Sequence, residues 1–437
     1  MRARSHLPSL LLLAVATLSS PAWGTSEPVG LHQALDKLTR EGKFSGAVVV
    51  HGADGVHFSR GYGWADPFEN RAFTPHTPAD SASLAKPITA AAVLLLVHEG
   101  KLELDAPVQR YLPEYPHSAA TIRHLLSHSA GLDLNESPAG LANKSNLELL
   151  SGAATLLHRP GSAFTYCNLC SITLALLIER VAGMHYLEFV RARLAVPPGV
   201  NLRPQRLADW SGRATGYRRK ADGEFERFDS WEGELLYGAA NFSISAAQLA
   251  QWGNEWSQSR LQILDAATSP AWIDRNRSGL TLGNWYCGPT GRQCHYIGHH
   301  EGFHHMLYWD ADRRISIALL SNNALAPALQ QRLQRALVAF YESEPDRANR
   351  ELATLLADVE APPGQFQLAS GEIVEVVADG EQRSVRRGGV NYPAYPVGSG
   401  IRYVPGLDLY LVGTPEGGLH WLTLYEDLHG VATSNGH

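Results

Sequence analysis

Polarity along the chain changes period several times, and each change predicts an element. Arg2 and Arg4 precede an apolar run, Leu10–Val15, and Ala22-Trp23-Gly24 offers small residues around a cleavage point. This pattern reads as a secretory signal peptide over residues 1–24, since the run is too short to span a bilayer. Leu31–Leu38 repeats at helical spacing, and Gly46–Val50 and Val56–Tyr62 are β-rich runs joined at the turn Ala53-Asp54-Gly55. From Ser83 to Glu99 the chain is apolar on all sides, which predicts a buried helix with Pro87 tolerated in its first turn.

Residues from about 120 to 275 carry helical patterns, as in Ile122–Ser127, Leu147–Leu157, Ser171–Ala182 and Ala246–Glu255, and lack a convincing run of strands. Strand patterning returns at His305–Trp309 and Ile315–Ser321, and a helix is expected from Ala326 to Tyr341. Beyond Pro362-Pro363-Gly364, alternating segments such as Ile373–Val377, Leu407–Val412 and Leu419–Tyr425 are separated by Gly/Pro turns. The expected fold class is α/β (α+β), an antiparallel sheet flanked by helices with an inserted helical lobe, followed by a small all-β domain. The expected organisation is a signal peptide (1–24), a main domain (25–345), and a linker with a β-rich C-terminal domain (346–437).

The bulk properties narrow the classes of function. Hydrophobic residues make up 44% of the 437 and charged residues 18%, ordinary globular usage that leaves no case for extensive disorder. A formal charge of −6, with no Lys/Arg block of the needed kind, argues against nucleic-acid partners, and Tyr217-Arg218-Arg219-Lys220 reads as a solvated turn. No other apolar stretch is long enough for stable membrane insertion. Export makes the four cysteines candidates for disulfides: Cys287 and Cys294 flank a Gly-Pro-Thr-Gly turn, and Cys167-x-x-Cys170 reads as a local disulfide or two buried thiols, without the βαβ context of a redox motif.

Three short segments carry candidate chemistry. Ser83-Leu84-Ala85-Lys86 sets a hydroxyl and an amine three apart at a helix start, where both project from one face. A serine needs a base to become a nucleophile, and a lysine serves if burial lowers its pKa. Tyr166-Cys167-Asn168 offers a phenol that can relay protons beside an ammonium and an amide that can bind a carbonyl. Gly298-His299-His300-Glu301-Gly302-Phe303 stands directly before a strand; Gly302 would let substrate approach the backbone, with the N–H of Phe303 aimed at a developing oxyanion and His300 as a further donor.

Taken in this order, Ser83-x-x-Lys86, Tyr166-x-Asn168 and His300-x-Gly302 resemble the three motifs of serine β-lactamases, D-alanyl-D-alanine carboxypeptidases and related esterases. Gly61–Asp66, Gly100–Asp105 and Leu125–Leu132 are similar to segments of the same family, so the likeness covers about residues 30 to 342. It implies Ser83 as the acylated nucleophile, Lys86 and Tyr166 as the proton-transfer pair, and Asn168 as a substrate-amide ligand. His300 and Gly302 would line the opposite wall, with the oxyanion held by the N–H groups of Ser83 and Phe303. The histidine opening the third motif is similar to carboxypeptidase and esterase members rather than to the lysine usual in β-lactamases. Phe303-His304-His305-Met306 stands where members usually carry a second glycine, and no carboxylate is identifiable for the deacylating water.

The resemblance implies an exported, periplasmic enzyme needing no metal or organic cofactor, acting on a small molecule or a peptidoglycan-derived peptide or ester. A competing reading takes His300-Glu301-x-x-His304 as a zinc-hydrolase motif. That motif requires a helix. If extended, the two histidines would stand roughly 13 Å apart at ~3.3 Å per residue, too far for one ion. A third reading is a non-catalytic binder of cell-wall fragments or another ligand in the same cleft.

Overall fold

The computed structural model describes residues 30–432, apart from 133–144, 152–154, 195–211, 220–223, 230–236, 241, 260–279, 301, 324–326, 343, 357–358, 381, 399, 405–406, 408, 415–416 and 423–426. The signal peptide expected over 1–24 lies outside these residues. Helix α1 (Leu31–Arg40) leads into strands β1 (Gly46–Gly52) and β2 (Gly55–Tyr62), then the short strands β3 (Trp64–Asp66), β4 (Arg71–Ala72) and β5 (Ala79–Asp80). A 3₁₀ turn, Ala82–Leu84, opens directly into α2 (Ala85–His98). Next come α3 (Ile122–Leu126), α4 (Asn146–Ser151), α5 (Asn168–Ala182) and α6 (Tyr186–Arg193). After β6 (Tyr217–Arg219), β7 (Phe225–Arg227) and β8 (Ser243–Ile244), helix α7 (Ala246–Ser259) returns the chain to the sheet through β9 (Tyr286–Cys287), β10 (Gln293–His300), β11 (Phe303–Asp310) and β12 (Ile315–Ser321).

Six strands form one antiparallel sheet in the order β2-β1-β12-β11-β10-β9. The β1 and β12 sequences are apolar at nearly every position because both faces of the sheet are covered. Ala47, Val49, Leu307, Trp309, Ala318 and Leu320 turn to the face packed by α7, in a core continuous with α2 and α5. Val48, Val50, Met306, Tyr308, Ile317 and Leu319 turn to the other, packed by α1 and by α8 (Pro327–Tyr341) and α9 (Pro345–Leu356). Helix α2 has Ala85 through Leu96 buried, consistent with its all-round apolar sequence. Helices α3 to α6 form the lobe packed against it, so the 3₁₀ turn carrying Ser83 stands where lobe and sheet edge meet.

The boundary expected at 345 falls at the start of α9, which packs back on the domain: Leu352 joins the core under the sheet and Glu351 pairs with Arg335. The β-rich region is a closed antiparallel barrel of eight strands, β13 (Gly364–Leu368), β14 (Ile373–Asp379), β15 (Gln382–Arg387), β16 (Val390–Gly398), β17 (Ile401–Val404), β18 (Leu409–Gly413), β19 (Leu419–Leu422) and β20 (Asp427–Ala432). Phe366, Val385, Leu411 and Trp421 help fill its interior, while Ile401, Tyr410 and Val412 pack into the core shared with α1, α8 and α9.

Candidate active site

Ser83 is placed by its neighbours. Ser81 and Phe242 exchange hydrogen bonds, the N–H of Ser81 to the Phe242 carbonyl (2.8 Å) and the N–H of Phe242 to Ser81 Oγ (3.4 Å). Asp80 accepts the N–H of Ala82 (3.1 Å). Ala82 has φ +44°, a conformation an alanine adopts at a cost and keeps only where its surroundings enforce it. One turn on, Lys86 is 1% exposed. Its ammonium donates to Ser83 Oγ (2.9 Å) and to the carbonyl of Ala239 (3.0 Å). Thr89, a further turn along α2, holds the adjoining carbonyl of Gly238 at 2.8 Å and so steadies the acceptor that Lys86 uses. Among the described residues no carboxylate pairs with Lys86, and burial lowers its pKa to about 7.

Tyr166 completes the triangle, its hydroxyl 2.8 Å from Ser83 Oγ and its ring 4.9 Å from Lys86 Nζ. What aims the phenol is a residue to which the sequence reading gave no role. His128 stacks on the Tyr166 ring at 5.2 Å and 8°. Its Nδ1 accepts the N–H of Cys167 (3.0 Å), so its proton sits on Nε2, facing Asn284 Oδ1 at 2.5 Å. Burial, with the nearby Lys86 charge, depresses the His128 pKa to about 4, so this ring stays neutral and acts as a fixed wall. His128 and Asn284 both have positive φ, +51° and +58°. Two strained residues locked to each other make a rigid support. Cys167 is bonded to Cys170 and Cys287 to Cys294, the local pairings. Asn168, half-buried at the start of α5, lines the same cleft.

The opposite wall is β10, shifted in register from the expectation. A Cβ on Gly298 would lie 3.1 Å from the N of Leu84 and 3.2 Å from the O of Ser81, so Gly298 is the residue that lets the strand approach the nucleophile's turn. Gly302 packs elsewhere: its Cβ would meet Gly216 and Phe228, and its N–H donates to the Phe228 carbonyl (2.8 Å). The ladder settles which amides face the cleft. The N–H of Ala311 bonds the carbonyl of Arg292 and the N–H of Gly288 that of Gln293, so alternation turns the main-chain groups of Ile297 and His299 to the outer edge and those of Gly298 and His300 toward β11. Phe303, paired with His300, has its amide inside the hairpin and its side chain fully buried, not at the nucleophile. His299 lines the cleft in its place. The side chain of His300 and all of Glu301 lie outside the described residues. His300 ends β10 and His304 belongs to β11, so the zinc motif spans a hairpin rather than the helix it needs.

The cleft beside Ser83 has a volume of about 670 Å³. A model of the Beta-lactamase family matches residues 31–340. The chain belongs to this family. Likenesses to individual proteins are partial in sequence: Penicillin-binding protein 4* of Bacillus subtilis (strain 168) is 28% identical over 180 residues, 39% of this chain and 40% of that protein. Esterase EstB of Burkholderia gladioli is 34% identical over 209 residues, 41% and 53% respectively. The chain thus spans about half the length of these relatives, or less. In structure, the octameric penicillin-binding protein homologue from Pyrococcus abyssi superimposes with a TM-score of 0.65 at 19% identity, covering 91% of this chain and 99% of that one, which shows a shared fold.

Proposed function

We propose that this chain is an exported serine hydrolase that forms a covalent acyl-enzyme on Ser83 and hydrolyses an ester or amide. The observation that carries the reading is the triangle of Ser83 Oγ, Lys86 Nζ and Tyr166 OH, with a lysine tuned to lose its proton near neutrality. Neutral Lys86 takes the Ser83 proton as Oγ attacks the carbonyl carbon. The N–H groups of Ser83 and His299 hold the oxyanion, and Asn168 orients the acyl group. Tyr166, relaying the proton from Lys86, hands it to the leaving oxygen or nitrogen as that bond breaks. No carboxylate lines the cleft among the described residues, so the same pair activates the water that releases the acid and restores Ser83.

Family membership and the partial likeness to an esterase and a penicillin-binding protein support this chemistry. Export rests on the leader pattern of residues 1–24. Labelling with a fluorophosphonate and with fluorescent penicillin, read by intact mass, tests the reading: the adduct is expected on the wild type and absent from Ser83→Ala. Ester hydrolysis that survives Ser83→Ala would overturn it, and a chain that neither labels nor hydrolyses would be a binder. Export is checked by sequencing the N-terminus of the envelope-fraction protein, expected to begin at residue 25.

A further inference from the structure

The cleft does not stop at Ser83; it continues across β10 onto the sheet face that α8 covers. Register fixes what lies there. Ile297 pairs with Met306 and His295 with Tyr308, so these cross-strand neighbours share the face away from α2. Val338 of α8 lines the trough as well, as do the polar side chains of His295, His299, Gln334, Arg335 and Arg347.

The charges of the two arginines are already paired. Arg335 is held by Glu351 through two hydrogen bonds (2.8 and 3.2 Å), and Arg347 by Glu342 and Glu344 (3.2 and 3.1 Å). Tyr308 donates to Glu342 (3.1 Å), and burial together with that carboxylate keeps its phenol protonated. Among the described residues that line the cleft, Arg335 and Arg347 are the only Lys or Arg, and Lys86 beside it is turned to Ser83. A carboxylate entering the trough would shed water without gaining a counter-charge, which is costly. An alkyl or aryl arm would be covered by Ile297, Met306 and Val338.

Resting on the acyl-enzyme reading above, we propose that this trough is the specificity site and that it selects esters or amides bearing an uncharged apolar arm over those ending in a carboxylate. The test is a series of p-nitrophenyl esters from acetate to dodecanoate, with a matched pair in which the octanoyl arm carries or lacks a terminal carboxylate. A parallel series of alkyl acetates covers the case in which the arm belongs to the leaving group. Each methylene buried should raise kcat/KM about fourfold, so one series should climb roughly two-hundredfold from four carbons to eight, and the neutral octanoyl ester should exceed its carboxylate twin at least tenfold. Val338→Trp should lower the octanoate-to-butyrate ratio tenfold or more.

Flat profiles in both series, preference for the carboxylate twin, or a ratio unmoved in folded Val338→Trp overturn the proposal. If Val338→Trp does not fold, inhibition of the wild type by alkylboronic acids decides: Ki should fall with chain length, and a constant Ki counts against the trough. Ser83→Ala keeps the two readings apart. Hydrolysis surviving in that variant sinks the serine mechanism, whereas hydrolysis lost there but blind to chain length in the wild type sinks only the trough.

Discussion

Replacing Lys86 by methionine should make the protein more stable while abolishing turnover. The lysine's pKa falls from an ordinary 10.5 to about 7 because burial strips water from the charged form. A displacement of that size corresponds to roughly 5 kcal/mol. Its sign follows from proton counts. Between about pH 7 and 10.5 the unfolded lysine holds a proton that the folded one has lost, so stability rises with pH across that window. Below pH 7 both states are protonated and the folded state carries the whole penalty; above 10.5 both are neutral and the penalty is gone. Methionine fills similar volume without a charge but leaves the Ala239 carbonyl without this donor, at a cost of about 1–3 kcal/mol. The expected net gain is therefore about 2–4 kcal/mol at pH 6 to 7, shrinking toward pH 10. Urea unfolding of wild type and Lys86→Met at pH 6, 8 and 10, followed by tryptophan fluorescence, measures it. A variant less stable than wild type at pH 6, or a gap independent of pH, would refute activation by burial.

Further outcomes follow from the same geometry. The acid limb of kcat/KM should have its midpoint near pH 7, leaving about a tenth of the activity one unit below, because Lys86 acts as base only when neutral; a flat rate from pH 5 to 8 would contradict this. His128→Phe keeps a ring against Tyr166 but loses the Cys167 N–H acceptor and the Asn284 contact, so kcat should drop on the order of tenfold to a hundredfold with KM nearly unchanged in steady-state assays. Gly298→Val sets methyl groups against Leu84 and Ser81, and labelling of Ser83 by fluorophosphonate should slow by about tenfold or more while far-UV circular dichroism stays that of wild type.

How much of this can be read from sequence depends on the range of the interaction. Ser83 and Lys86 share one turn of an apolar chain segment, so local periodicity alone brings them together. Tyr166 lies 83 residues away, and its place at Ser83 follows from motif order, not from any period. The third motif shows the limit of pattern reading. Gly302 and Phe303 lie four residues beyond Gly298 and His299, and because β10 ends at His300 that offset carries them past the end of the strand into the hairpin. Choosing Gly302 and Phe303 rather than Gly298 and His299 is the error. The disulfide between Cys287 and Cys294, seven positions apart, anchors the register that corrects it. His128 sits in a segment the sequence already marks as family-like, yet its stacking on Tyr166 exists only once the lobe is folded. The barrel is similar: single strands show their alternation, but closure depends on β13 meeting β20, which no local pattern reports. Pro393 and Pro396 further blur β16.

Activation by burial ties the chemistry to the core more tightly than activation by a second cation would. A neighbouring charge acts through a few ångströms of space and weakens with salt. Desolvation instead requires that every wall around Lys86 stay closed, and those walls are α2 itself, the Tyr166 ring and the Ala239 segment. Water admitted by loosening any of them would let the lysine regain its proton at neutral pH, and the serine would lose its base before the protein lost its fold. Small-to-large or cavity-forming changes at Ala85, Ile88 or Thr89, none of which touches the reacting atoms, should thus raise the midpoint of the acid limb. The nucleophile's reactivity is in this sense a property of core packing, and the pH profile is the instrument that reads it.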